Sequence, residues 1–240
     1  MEKSEVFSQK TKLSEVTVSS GSKFIGATFL YLALALVITF ATSCILALLI
    51  HISPATIDDI AILFIVALVA YIPVMLWVNF SCIANGKTLG PAFFTYSIVM
   101  GLLISPLVLV VDFASVAIAI GVTALAFGVM SLIAFNTKKE LTTLGIFAYG
   151  LLSGLFILMI VNLIVYFIIG FEPFYLTLSI GFFVVILLLT VCDLKHVKRI
   201  AVNGGASKNV ALMCALNLYV DFIYIFIRLL IIVASLRNKN

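Results

Sequence analysis

The sequence predicts an all-α integral membrane protein with seven transmembrane helices, and three observations carry that prediction. Of its 240 residues, 64% are hydrophobic and only 10% charged, whereas soluble domains carry about 25% charged residues. The apolar residues collect in seven runs, each clearing the ~17–25 residues that a helix needs to cross a hydrocarbon core. The basic residues fall mainly in alternate connections between those runs. A chain this apolar has little aqueous surface to offer. Residues 23–240 are therefore expected to form one membrane domain, preceded by a polar tail over residues 1–22.

The tail is Ser/Thr-rich and mixed in charge, which suits a short mobile segment. The first run, residues 24–50, far exceeds the ~7–15 apolar residues of a signal peptide, and no small-residue cleavage pattern follows it. It is read as a retained span. The second run, 60–84, lies between Asp58-Asp59 and Gly86-Lys87, and the third and fourth, 91–111 and 114–136, are parted by Asp112. The fifth, 141–168, follows Lys138-Lys139-Glu140; the sixth, 174–200, follows Glu172-Pro173; and the seventh, 208–236, follows Asn203-Gly204-Gly205. At about 1.5 Å per residue the seventh amounts to about 43 Å of helix, ample for a ~30 Å core. Pro73 and Pro106 lie inside the second and third spans, where each removes a backbone hydrogen bond and favours a bend or a hinge.

In the fourth span Ala114, Ala117, Gly121, Ala124, Gly128 and Ser131 recur at spacings of three and four, and the fifth adds Gly150 and Gly154. Small residues on one stripe let a neighbouring helix approach closely. Packing within the bundle is the expected use, and a homodimer face the alternative.

Orientation follows from the basic residues, which are retained on the cytoplasmic side. Lys3, Lys10, Lys12 and Lys23 belong to the tail and its junction; Lys87, Lys138, Lys139, Lys195, Lys198, Arg199 and Lys208 belong to the second, fourth and sixth connections. The first, third and fifth connections hold only the acidic Asp58, Asp59, Asp112 and Glu172. The amino terminus is therefore expected in the cytoplasm. Seven spans then place Arg237 and Lys239 outside, against the same rule. The net charge of +4 reports this orientation and not a nucleic-acid partner.

Cys44, Cys82, Cys192 and Cys214 show no CxxC spacing and no partnering histidines, and read as buried free thiols. His51 and His196 are at opposite ends of the predicted topology, so no zinc site is expected.

The chemistry concentrates on two aspartates. An ionised carboxylate at bilayer depth costs several kcal/mol unless it is paired, hydrated or protonated. In the seventh span, Asn217, Asp221, Tyr224 and Arg228 follow one another by 4, 3 and 4 and share one helical face. That face is expected to meet the bundle interior or a water-filled cavity, with Asp221 near mid-membrane. Asp193 closes the apolar part of the sixth span. If that helix continues past it to about Ile200 and turns through Asn203-Gly204-Gly205, the two carboxylates reach similar depths in a helical hairpin.

Two carboxylates facing each other in a low dielectric share a proton, because both cannot ionise without strong repulsion. Such a pair senses pH and can attract a hard cation such as Ca2+. Two aspartates fall short of the ~6–8 oxygen ligands of a storage site, so transient contact fits better. The plainer readings are an interfacial Asp193 marking the end of a helix beside Lys195 and Lys198, and an Asp221 paired with Arg228 for packing.

These segments resemble the Bax inhibitor-1 family, also called transmembrane BAX inhibitor motif proteins. ALNLYVDFIYIFIRLL is similar to the family's last-helix pattern A-L-x-L-Y-L-D-F-[IV]-x-x-F, and CDLKHVKRI to its Y-D-x-x-x-I segment. TKKELTTLG and KTLGPAFFTYSIVMGLLISPL add weaker matches, and together the four cover most of residues 87–236 in the expected order. The resemblance implies six helices around a central seventh one, and a pH-sensitive Ca2+ leak governed by an aspartate pair. Carried over by position, that pair is Asp193 and Asp221.

Three departures accompany it. Cys192 stands where the family usually has tyrosine, and the connection between the aspartates is longer than usual. Some bacterial relatives latch the sixth-helix aspartate with a second-helix arginine, yet no Lys or Arg occurs between Asp59 and Lys87. Asn85, Lys87 or Arg228 would have to substitute.

The expectation is a passive, pH-modulated Ca2+ leak of a plasma membrane of bacterial type, with no cofactor and with the lipid bilayer, protons and Ca2+ as its partners. The competing class is a regulator of membrane proteases or of stress and cell-death responses, acting by contact with another membrane protein. An enzyme is not expected, since neither HExxH nor GxSxG occurs and the GxGD of intramembrane aspartyl proteases is absent, Asp221 following Leu-Tyr-Val instead.

Overall fold

A computed structural model describes residues 2–52, 57–83, 88–111, 113–137, 142–170, 175–203 and 207–237. Their backbone forms seven α-helices: α1 Glu2–Ile52, α2 Ile57–Ile83, α3 Leu89–Val110, α4 Phe113–Asn136, α5 Thr142–Ile169, α6 Tyr175–Val202 and α7 Lys208–Arg237. Each contains an apolar stretch of 21 to 30 residues, enough to cross a ~30 Å core at about 1.5 Å per residue. The expected all-α, seven-span architecture is thus the observed one. The tail differs: α1 begins at Glu2, about five turns before the span that opens at Gly21. No proline or glycine interrupts residues 2–20, so nothing stops the first span's helix from propagating back through them.

The helix ends have local causes. Ser207 caps α7, its side-chain oxygen accepting the Val210 N–H at 3.3 Å. Gly170, with φ +72, closes α5 by donating its N–H to the Tyr166 carbonyl at 2.8 Å, a conformation that favours glycine. Val111 turns extended after α3 while its N–H still bonds the Leu107 carbonyl.

The residues cluster into two units, 1–118 with 197–219, and 119–196 with 220–240. In the first, α1 and α2 both pack on α3. A Cβ on Gly101 would lie 2.6 Å from the Thr39 carbonyl oxygen and 2.8 Å from the Thr42 Cβ, so only glycine lets α3 come this close to α1. The buried Thr39 hydroxyl sits 2.6 Å from the Tyr219 hydroxyl and 2.9 Å from the carbonyl oxygens of Ala35 and Ser97. Carbonyls only accept, so Thr39 donates to them and accepts from Tyr219. Phe93 and Tyr96 meet the Tyr219 ring edge-on, at 5.5 and 5.9 Å between centroids.

In the second unit, Ala148 of α5 packs with Val185 and Leu189 of α6, flanked by Leu152, Leu155 and Leu188. Phe127 of α4 meets Phe222 of α7 at 5.7 Å. The small-residue stripe of α4 is not the packed face. Ala114, Ala117, Gly121, Ala124 and Gly128 are exposed, and a Cβ on Gly121, Gly128, Gly150 or Gly154 would meet nothing within 4 Å. The buried face of α4 is the opposite one, Val116, Ala119, Thr123, Phe127, Met130 and Ala134. Its larger side chains offer more contact area, and Thr123 satisfies its own hydroxyl on the Ala119 carbonyl at 2.7 Å.

Large apolar side chains stand exposed on all the spans, among them Leu125, Ile146, Phe167 and Ile168, each 70% or more accessible. Exposure on this scale is stable only in lipid. The protein is a multi-pass membrane protein.

Candidate functional site

α6 continues unbroken to Val202, so Asp193 lies more than two turns inside the helix. That removes the reading in which it marks a helix end. Asp221 occupies the midpoint of the Lys208–Ala234 span. Both residues belong to the second unit, and each carboxyl lies within Coulombic reach of the other. Tyr149 of α5 is within reach of both.

The direct partner of Asp221 is a residue that sequence reasoning missed. Thr190 of α6 hydrogen-bonds the Asp221 carboxyl through its hydroxyl, while the same hydroxyl lies 2.8 Å from the Ile186 carbonyl oxygen. Depth explains the pairing. Counted back from Val202, Thr190 is as far into the membrane as Asp221 is from Lys208, roughly 18–20 Å at 1.5 Å per residue. Asp193 sits about one turn nearer the connection. The hairpin register therefore sets Thr190 level with Asp221 and Asp193 one turn along.

A hydroxyl carries one proton. With Asp221 ionised, Thr190 donates to it and releases the Ile186 carbonyl. With Asp221 protonated, the carboxyl donates to the Thr190 oxygen and Thr190 keeps its bond to Ile186. The same heavy atoms accommodate both arrangements. The second carboxyl oxygen of Asp221, Oδ2, is buried with no hydrogen-bond partner.

The polar face of α7 divides. Asp221 and Arg228 are half-buried, whereas Asn217 and Tyr224 are exposed. The inward arc is held by Leu218, Tyr219, Ile223, Ile225, Phe226 and Leu230, all but fully buried. Large side chains win that arc because their apolar burial returns most, and the one phenol among them, Tyr219, has its hydroxyl paired with Thr39. Arg228 donates to the Ser179 hydroxyl at 3.2 Å and stands two turns from Asp221, so the Arg228–Asp221 packing pair is not formed. Asn85 and Lys87, the other candidates for a latch on Asp193, lie outside the described residues.

Among the described residues no three His, Cys, Asp or Glu side chains gather at one point. The four cysteines are unbridged, as expected, but the expected burial holds in full only for Cys214; Cys82 and Cys192 are half-buried and Cys44 is exposed.

Comparison with known proteins gives a consistent assignment. An uncharacterised protein of Deinococcus radiodurans is 35% identical over 146 residues, covering 59% of this chain and 61% of the relative. A Rickettsia prowazekii protein is 32% identical over 158 residues, 64% of this chain and 65% of its own length. The Escherichia coli inner membrane protein YbhL is 31% identical over 150 residues, 60% and 62%. The matched part thus spans a little over three fifths of these relatives. The family model described as "Inhibitor of apoptosis-promoting Bax1" matches residues 21–238, and with all seven spans inside that match the chain belongs to the Bax inhibitor-1 family.

Proposed function

We propose that the protein is a passive, pH-modulated cation (Ca2+) leak of a plasma membrane, working without catalysis or a cofactor, with Asp193 and Asp221 as its titrating and ion-contacting pair. The observation that carries this reading is a carboxyl at the middle of a span, one oxygen buried and unpartnered, within Coulombic reach of a second carboxyl from another helix. Such a pair holds one proton more readily than none. Loss of that proton leaves two negative charges in a low dielectric, which favours separation of α6 from α7 or entry of a cation between them. Two carboxylates supply too few oxygens to retain Ca2+, so the ion passes on.

The test is Ca2+ flux into proteoliposomes across a pH series, for the native protein and for Asp193→Asn and Asp221→Asn. Both substitutions are expected to flatten the pH response, and Asp221→Asn to change the basal flux more. Flux and pH response unchanged in both would sink the mechanism and leave regulation by protein contact as the reading to pursue.

A further inference from the structure

Lys195 stands two residues after Asp193, yet it points elsewhere. Its ammonium donates to the carbonyl of Thr137, at the carboxyl-terminal end of α4. There the Thr137 N–H and hydroxyl both turn back onto the Ile133 carbonyl, at 3.0 and 2.6 Å, and the Thr137 carbonyl follows the last helical residue, Asn136. The final carbonyls of a helix have no intrahelical partner and carry partial negative charge, so a cation placed on them is held by both hydrogen bond and dipole. Lys195 is half-buried, which limits the water that competes for that carbonyl.

The angular arrangement on α6 gives this contact its consequence. At about 100° per residue, the direction midway between Thr190 and Asp193 is about 170° from Lys195. The face that meets Asp221 and the face that grips α4 are therefore diametrically opposed. Cys192 is one turn before Lys195 on the α4/α5 side, and a Cβ on Gly145 of α5 would lie 4.0 Å from the Cys192 Cβ and 3.8 Å from its sulfur. All of these residues belong to one unit.

We propose that Lys195 is a positioning residue whose bond to the end of α4 fixes the rotation of α6 that presents Thr190 and Asp193 to Asp221. Its relevance to flux rests on the carboxyl-pair reading above; the tether itself does not. A neutral, non-donating side chain at this position frees the last turns of α6 to rotate. An arginine, which still donates and still carries the charge, restores the hold.

The test uses a disulfide reporter. The 4.0 Å Cβ separation falls in the range that a disulfide spans without backbone movement, so Gly145→Cys is expected to cross-link to Cys192 on mild oxidation, in a chain carrying Cys44→Ser, Cys82→Ala and Cys214→Ala. Lys195→Met is expected to slow cross-linking by about fivefold or more, and Lys195→Gln by less, while Lys195→Arg stays close to the native rate. Equal rates for all four side chains would overturn the proposal. So would a loss that Lys195→Arg fails to restore, because that is the signature of general disruption. Where Lys195→Met does not fold, Lys195→Gln against Lys195→Arg decides on the same criterion. Flux is measured in parallel. Lys195→Met is expected to alter Ca2+ flux in the native background and not in Asp193→Asn/Asp221→Asn, as coupled positions do in a double-mutant cycle. A slowed cross-link with unaltered flux upholds the tether and counts against the carboxyl-pair reading, so the two fail separately.

Discussion

A carboxyl group at the centre of a membrane span is tolerated only where its polar atoms have partners or where it exchanges a proton. Asp221 meets that condition through Thr190 on one oxygen and leaves Oδ2 without a protein partner. Replacing Thr190 with valine keeps the shape and removes the hydroxyl, which leaves more of the Asp221 carboxyl unsatisfied. Thr190→Val is expected to cost about 1–3 kcal/mol, read as a lower melting temperature in detergent, with Thr190→Ser retaining most of the stability. A melting temperature for Thr190→Val equal to that of the native protein would show that the bond contributes nothing. The aspartates were legible in the sequence because their solvation cost is visible in any apolar run. Thr190, Thr39 and Tyr219 were not. Hydroxyls in spans commonly bond the carbonyl four residues back, as Thr28, Ser97 and Thr123 do here. Nothing local marks Thr39, Ser97 and Thr190 as hydroxyls that also reach another helix.

Between elements, glycine decides where helices touch, and the two classes of glycine in this fold respond oppositely to a methyl group. At Gly101 the added Cβ meets the Thr39 carbonyl oxygen at 2.6 Å and the Thr42 Cβ at 2.8 Å, so α1 and α3 would have to part. At Gly150 the same atom meets nothing within 4 Å. Gly101→Ala is expected to destabilise by about 1–3 kcal/mol. Gly150→Ala is expected to be neutral or to stabilise by up to about 1 kcal/mol, because alanine is the better helix former. Thermal unfolding of the two variants side by side checks this, and equal effects would refute it. The contrast also shows what the sequence could convey. Run lengths and punctuation located all seven helices, because apolar length and the charged, proline and glycine clusters between runs act locally, whereas the Ser207 cap and the Gly170 stop came only with the structure. The three-and-four spacing in α4 identified a stripe without saying which way it faces. A helix shows the same period on both sides, and the larger residues Val116, Phe127 and Met130 took the interior. The spacing of Asn217, Asp221, Tyr224 and Arg228 likewise defined a stripe without saying how deeply each would be buried, and Asn217 and Tyr224 are exposed while Asp221 and Arg228 are half-buried.

For the whole molecule, seven spans fix one consequence regardless of how the helices pack: the two ends of the spanning region lie on opposite sides of the bilayer. The distribution of charge then selects the sense. Lys138, Lys139, Lys195, Lys198, Arg199 and Lys208 lie around the two connections that flank the fifth and sixth spans, and basic residues near span ends resist translocation. Arg237 and Lys239 pull the other way, but they are two against the larger number. An alkaline phosphatase fused after Asn240 is therefore expected to be active, and a green fluorescent protein fused at the same point dark; at the amino terminus the two readouts reverse. Fluorescence from both ends would mean that α7 returns to the side it started from. Asp221 would then no longer sit at the middle of a span, and the solvation argument for its pairing with Asp193 would lose its premise. The fusion experiment thus tests the depth on which the proposed leak depends, independently of any flux.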